Sequence, residues 1–139
     1  MPTLRYLNVD LDIVSKVEPT KLLKALGERV CVLYSGKTRG GWFTCLEQSR
    51  YYRTPEKALA GWMRLLEKLP AAAKRELKSS KVITFDAGFD VAAGSNFHRL
   101  ALGEEELRAL AKWGARHVVT LYEADTTEPG GGVLDPKAT

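Results

Sequence analysis

The stretch Leu7-Asn8-Val9-Asp10-Leu11-Asp12-Ile13 alternates apolar and polar residues without interruption. A strand sends successive side chains to opposite faces, so this spacing predicts Leu7, Val9, Leu11 and Ile13 on one side. Asn8, Asp10 and Asp12 are then on the other. A chain that opens this way builds a sheet with one oily face to be covered and one face bearing carboxylates. Antiparallel sheets accommodate that division, whereas all-parallel sheets are buried on both sides.

The rest of the chain supplies the cover. Thr20 to Leu26 carries Leu22, Leu23, Ala25 and Leu26 ahead of Gly27, a residue suited to ending a helix. Arg29 to Tyr34 is a strand pattern apolar on both faces, expected to be central or covered. Ser35 to Gly41 is a hairpin connection, and Trp42 to Glu47 is its returning strand. Thr54-Pro55-Glu56 is a helix start: a hydroxyl acceptor, a residue with no amide proton to satisfy, and an acid for the positive helix end. Ala58, Leu59, Trp62, Leu65, Leu66 and Leu69 follow at helical spacing, and Pro70 opens a second short helix to Lys78. Lys81 to Asp86 and Phe97 to Leu102 are expected to be strands joined through a loop at 88–96. A helix from Glu104 to Trp113 ends at Gly114, and Arg116 to Glu123 is the last strand.

The expected order is therefore βαββααββαβ, in two halves of similar plan. The fold class is α+β: a predominantly antiparallel sheet with its helices packed on one face, ferredoxin-like or a doubled split-βαβ. Residues 1–125 suit a single domain, with a core large enough to need no staples. Residues 126–139 have little to bury and are expected to form a disordered tail.

Charge is distributed unevenly. The formal net charge is +4, yet residues 50–81 hold nine basic and three acidic side chains, while residues 82–139 carry a net −4. Arg50, Arg53, Lys57, Arg64, Lys68, Lys74, Arg75, Lys78 and Lys81 form a basic block that a phosphate backbone or acidic partner could use. A solvated helix face is the simpler account, since no Gly-rich loop or run of exposed aromatics accompanies it. No window approaches the roughly 18 apolar residues of a membrane span. Met1 to Arg5 enters a strand pattern directly, without a signal segment, so a cytoplasmic location and no membrane partner are expected. Cys31 and Cys45 lie in strand patterns and are expected to be small buried hydrophobes.

Catalytic motifs are sparse. No C-x-x-C, G-x-S-x-G or H-E-x-x-H occurs, and His98 and His117 fall in different strand patterns. Gly36 to Gly41 has the glycines and cations of a phosphate cradle but runs into Trp42-Phe43, a strand rather than a helix, so it is a hairpin tip. The sharper candidates lie elsewhere. Asn8, Asp10 and Asp12 share a face that Asp86 and Thr84 are expected to join, with Arg99, Thr120 and Tyr122 nearby. Carboxylates two apart on a strand, roughly 6–7 Å, can grip basic side chains, hold a hard cation or exchange protons. Arg39 at the hairpin tip and Tyr52-Arg53 beside the basic block are further contact candidates, aromatic-plus-arginine surfaces being good anchors.

Leu100-Ala101-Leu102-Gly103-Glu104-Glu105-Glu106-Leu107, leading to Leu110-Ala111, Gly114-Ala115 and a final strand ending Leu121-Tyr122, resembles the closing unit of a group of small bacterial α+β domains of unknown function. Tyr6 to Asp12 is similar to their first strand. The resemblance covers the two ends, about half the chain. Such domains often occur in toxin–immunity neighbourhoods, so it implies a stoichiometric binding protein rather than an enzyme. The matched residues are structural and carry no family site across. The acidic balance common in nuclease inhibitors is absent here.

The leading expectation is a cofactor-free protein-binding domain, most concretely an immunity or inhibitor protein that occludes a toxin or other partner. Its contact residues would be Asn8, Asp10, Asp12, Asp86, Arg39, Arg53 and Tyr52. Nucleic-acid or phosphate-ligand binding through 50–81 is the alternative, and a small carboxylate or metal hydrolase a further one.

Overall fold

The computed structural model describes residues 4–91 and 101–123. In chain order the elements are β1 (Leu4–Ser15), α1 (Thr20–Leu26), a 3-10 turn (Gly27–Arg29), β2 (Val30–Thr38), β3 (Gly41–Gln48), α2 (Pro55–Glu67), α3 (Ala71–Lys78), β4 (Val82–Val91), α4 (Glu104–Trp113) and β5 (Arg116–Glu123). The strands form one open mixed sheet in the order β2-β3-β1-β4-β5. Every neighbouring pair is antiparallel except β4 and β5, which are parallel. The fold is thus α+β, mostly antiparallel, with four helices among the described residues.

The ladder directions dictate the connections. β1 and β2 run the same way with β3 between them, and β3 and β4 run the same way with β1 between them. Each pair is joined through helix, α1 in one case and α2 with α3 in the other, so two split βαβ units interlock. The step from β4 to β5 is a parallel crossover carrying α4, as parallel neighbours require. Of the strand expected at 97–102, residues 97–100 lie outside the described residues, and Ala101 and Leu102 are in no strand. The tail expected at 126–139 also lies outside them.

Local chemistry explains the helix ends. Thr54 Oγ1 accepts the Lys57 amide at 3.2 Å, with Pro55 in the first turn and Glu56 beside it. Gly114 ends α4 at φ 63, a left-handed conformation that costs glycine little, and its amide reaches back to the Ala111 and Leu110 carbonyls.

The core is one cluster. Val9, Leu11 and Ile13 of β1 and Ile83, Phe85, Ala87 and Phe89 of β4 meet Leu22, Leu26, Leu59, Trp62, Leu66, Leu77, Leu110 and Trp113 from the four helices. Trp62 is fully buried, sets its ring edge-on to Phe85 at 6.3 Å and donates Nε1–H to the Val9 carbonyl at 2.8 Å. That bond satisfies the indole's polar group, which burial would otherwise penalise.

Several expectations are corrected. The alternation of β1 breaks at Leu7, where the register against β4 shifts between Tyr6 and Asn8. Leu4 and Tyr6 pack on the core, whereas Leu7 Cδ1 and Asn8 Oδ1 lie on the same side, 3.9 and 3.4 Å from where a Cβ on Gly88 would stand. A bulge adds one residue to a strand and reverses the facing of everything beyond it. The strand after α1 is not central but the sheet edge, with Val32, Leu33 and Tyr34 exposed. Cys31, on that edge, is exposed, while Cys45 is buried. Gly88 is a buried residue of β4 rather than the start of a loop, because β4 stays paired with β1 as far as Val91. Trp42, expected in the core with Trp62 and Trp113, is only half-buried and donates to Ser35 Oγ at 2.8 Å.

Candidate functional site

Register places the carboxylates together. Asp10 pairs with Asp86 and Asp12 with Thr84 across β1 and β4, so all four share the sheet face opposite Leu11 and Phe85. Asn8 joins them opposite Gly88. From β5, Thr120 Oγ1 donates to Asp86 Oδ1 at 2.7 Å and Arg116 Nε donates to Thr84 Oγ1 at 3.2 Å. Asn8, Asp10, Asp12 and Asp86 are half-buried, neither sealed in the interior nor fully in water. The Tyr122 phenol is pushed above its ordinary value, chiefly by burial and then by Asp86, Asp10 and Asp12. That ring therefore feels the carboxylates' summed field.

The same face changes character toward β3 and β2. Cys45 lies opposite Asp12 and Phe43 opposite Val14, while the Cys45 thiol points to Asp10 Oδ2 at 3.9 Å. On β2 the register shifts between Val32 and Tyr34, which turns Tyr34 onto this face opposite Cys45. Tyr34 and Phe43 set their ring centroids 6.0 Å apart, and Tyr34 remains 47% exposed. One face thus presents an aromatic pair beside a row of carboxylates. Reading the sequence alone missed Tyr34 and Phe43. The only signal for Phe43 is its parity with Cys45, and no local pattern reveals the bulge that turns Tyr34.

The other candidates lie apart. Arg39 is exposed in the β2–β3 turn, and Arg53 is exposed just before α2. Tyr52 is half-buried: its ring lies under the Arg50 guanidinium at 5.2 Å, and its hydroxyl accepts from Arg64 at 3.4 Å. The ring also lies where a Cβ on Gly61 would fall, so Tyr52 is seated against α2. Tyr51, beside it, is 67% exposed. Within the basic block, Lys78 sits over the Trp113 ring and Lys81 donates to the Gly40 carbonyl.

A second feature is a cleft between β1 and the end of β3. The β1–β3 ladder stops at Leu11 and Leu46, while β1 stays paired with β4 out to Leu4 and Val91. The gap so opened is a cavity of about 190 Å³ whose wall includes Tyr6, Asn8, Cys31, Glu47, Tyr51 and Tyr52. Asn8 Nδ2 bridges it, donating to Glu47 Oε1 at 3.2 Å.

His98 and Arg99 lie outside the described residues. His117 Nδ1 bonds the Phe85 carbonyl at 2.8 Å, a contact that ties β5 to β4. Among the described residues, no three His, Cys, Asp or Glu side chains are arranged to hold a metal ion. None of their helices is long and apolar enough to cross a membrane. Comparison with protein-family models, with curated proteins and with solved structures finds no match.

Proposed function

We propose that this chain is a non-enzymatic protein-binding domain, most concretely an immunity or inhibitor protein that occludes a toxin or other partner. One observation carries the proposal: the Tyr34–Phe43 pair adjoins Asp12, Asp10 and Asp86 on a single sheet face. Exposed aromatic anchors beside charges that a partner can desolvate are the combination in which interfaces concentrate their energy. The complementary partner carries basic side chains around an apolar patch. The carboxylates steer the encounter and the aromatic pair slows dissociation.

In this reading β1 to β4 are a ferredoxin-like core extended by α4 and β5. The helices take the Val9, Leu11 and Ile13 face, leaving the carboxylate face to the partner. Arg39 contributes from the rim. Nucleic-acid binding through 50–81 is the weaker reading, since Arg50, Arg64, Lys78 and Lys81 already engage rings, a hydroxyl and a carbonyl of the protein itself.

Affinity capture from cells that encode the chain, then reconstitution with the purified partner, is expected to give a stoichiometric complex that weakens as salt rises. Replacing Asp10 and Asp12 together by Asn should lower its affinity about tenfold while the domain stays folded. Unchanged affinity would reject this surface.

A further inference from the structure

The cleft between β1 and β3 has a chemistry that the protein-binding reading does not use. Tyr6 and Tyr51 form one of its walls, their ring centroids 6.4 Å apart and their planes inclined by 33°. A cation above two rings so placed is within the ~6 Å over which a ring's negative face attracts it. Across the gap, Glu47 of β3 supplies a carboxylate to the same lining, steadied by the Asn8 amide. The lining already applies this chemistry once, at its other tyrosine, where the Arg50 guanidinium covers the Tyr52 ring at 5.2 Å.

The local field points the same way. The Tyr6 phenol is driven well above its ordinary range, first by burial and then by Tyr51, Asp10, Glu56 and Glu47. Every one of these influences opposes a new negative charge at that hydroxyl. The carboxylates among them, Asp10, Glu56 and Glu47, equally favour a positive one.

We propose that this cleft binds an alkylammonium group, held by the faces of Tyr6 and Tyr51 and by the Glu47 carboxylate. The proposal stands on the cleft alone and survives if the chain binds no protein. The group could come from a free small amine or from the lysine side chain of a polypeptide, and both present the same chemistry to the site.

The test titrates the full chain with choline, with its uncharged carbon isostere 3,3-dimethylbutanol, and with N-acetyl-lysine methylamide. Heat and the ring proton shifts of Tyr6 and Tyr51 are followed. At least one of the two cations should saturate at one per chain, with the isostere at least about tenfold weaker. Tyr51→Ala, which removes a largely exposed ring, should cost about tenfold, and Glu47→Gln several-fold. Cys31 lines the same wall, so the bound cation should slow its alkylation by iodoacetamide. Tighter binding of the lysyl probe supports the site with a polypeptide as source, and tighter binding of choline supports it with a small amine. Equal binding of the isostere, indifference to Tyr51→Ala in a folded protein, or saturation by neither cation overturns the proposal.

Discussion

Asp10 on β1 stands directly opposite Asp86 on β4, and Thr120 on β5 donates its hydroxyl proton to Asp86 Oδ1 at 2.7 Å. Two like charges facing each other across a ladder oppose pairing, whereas the Thr120 bond supports one of them. The two effects separate by mutation. Thr120→Val keeps the shape and removes the donor, and should destabilise the fold by about 1 kcal/mol. Asp86→Asn keeps an acceptor for Thr120 and removes one of the facing charges, so it should cost less than about 0.5 kcal/mol. Urea midpoints at neutral pH check the ordering.

Trp62 joins α2 to the sheet by a buried hydrogen bond to Val9 of β1 and a ring contact with Phe85 of β4. Trp62→Phe leaves the Val9 carbonyl without its donor and opens space beside Phe85 in the core. A loss of about 2–3 kcal/mol is expected by denaturant unfolding. A near-neutral result would mean that α2 is held mainly by its other contacts.

The two thiols should behave as two classes. Cys31 is exposed on the sheet edge and Cys45 is 2% exposed. Ellman's reagent should therefore consume one thiol per native chain quickly and the second only on unfolding. Cys31→Ser should abolish the fast phase.

Alkaline pH should weaken the fold. An unfolded tyrosine ionises near 10.0, while folded Tyr6 and Tyr122 ionise higher because burial and nearby carboxylates disfavour the phenolate. Just above pH 10 the unfolded chain therefore holds fewer protons than the native one. The stability these groups contribute is complete below that pH and is lost as pH rises through their folded values. Phenolate absorbance should show Tyr6 and Tyr122 titrating late. Tyr6→Phe should flatten the alkaline loss of stability.

The features legible from sequence are those fixed by neighbours a few residues away. Val9, Leu11 and Ile13 follow from strand alternation, the start of α2 from Thr54-Pro55-Glu56, and the end of α4 from Gly114. The convergence of Asp10, Asp12 and Asp86 was readable as a shared face, though not as the direct pairing that register creates. The bulges at Leu7 and Leu33 were not readable, because a bulge is a property of two strands held in register and leaves the sequence period intact. Those bulges turn Tyr34 outward and set Tyr6 against Phe89. The apolar run at Val30 to Tyr34 suggested a covered strand, but position within a sheet is decided by long-range pairing rather than by local pattern.

The central claim is that Tyr34, Phe43 and the adjoining carboxylates form one protein-binding face. Calorimetric titration of the purified partner into three chains tests it most directly: the unaltered protein, Tyr34→Ala with Asp12→Asn, and Leu121→Ala. Leu121 is 61% exposed on β5, where it pairs with Phe89 on the opposite face. The account predicts a loss of at least about a hundredfold for the double variant and none for Leu121→Ala. Equal affinity of the double variant and the unaltered chain, with both folded, would contradict it.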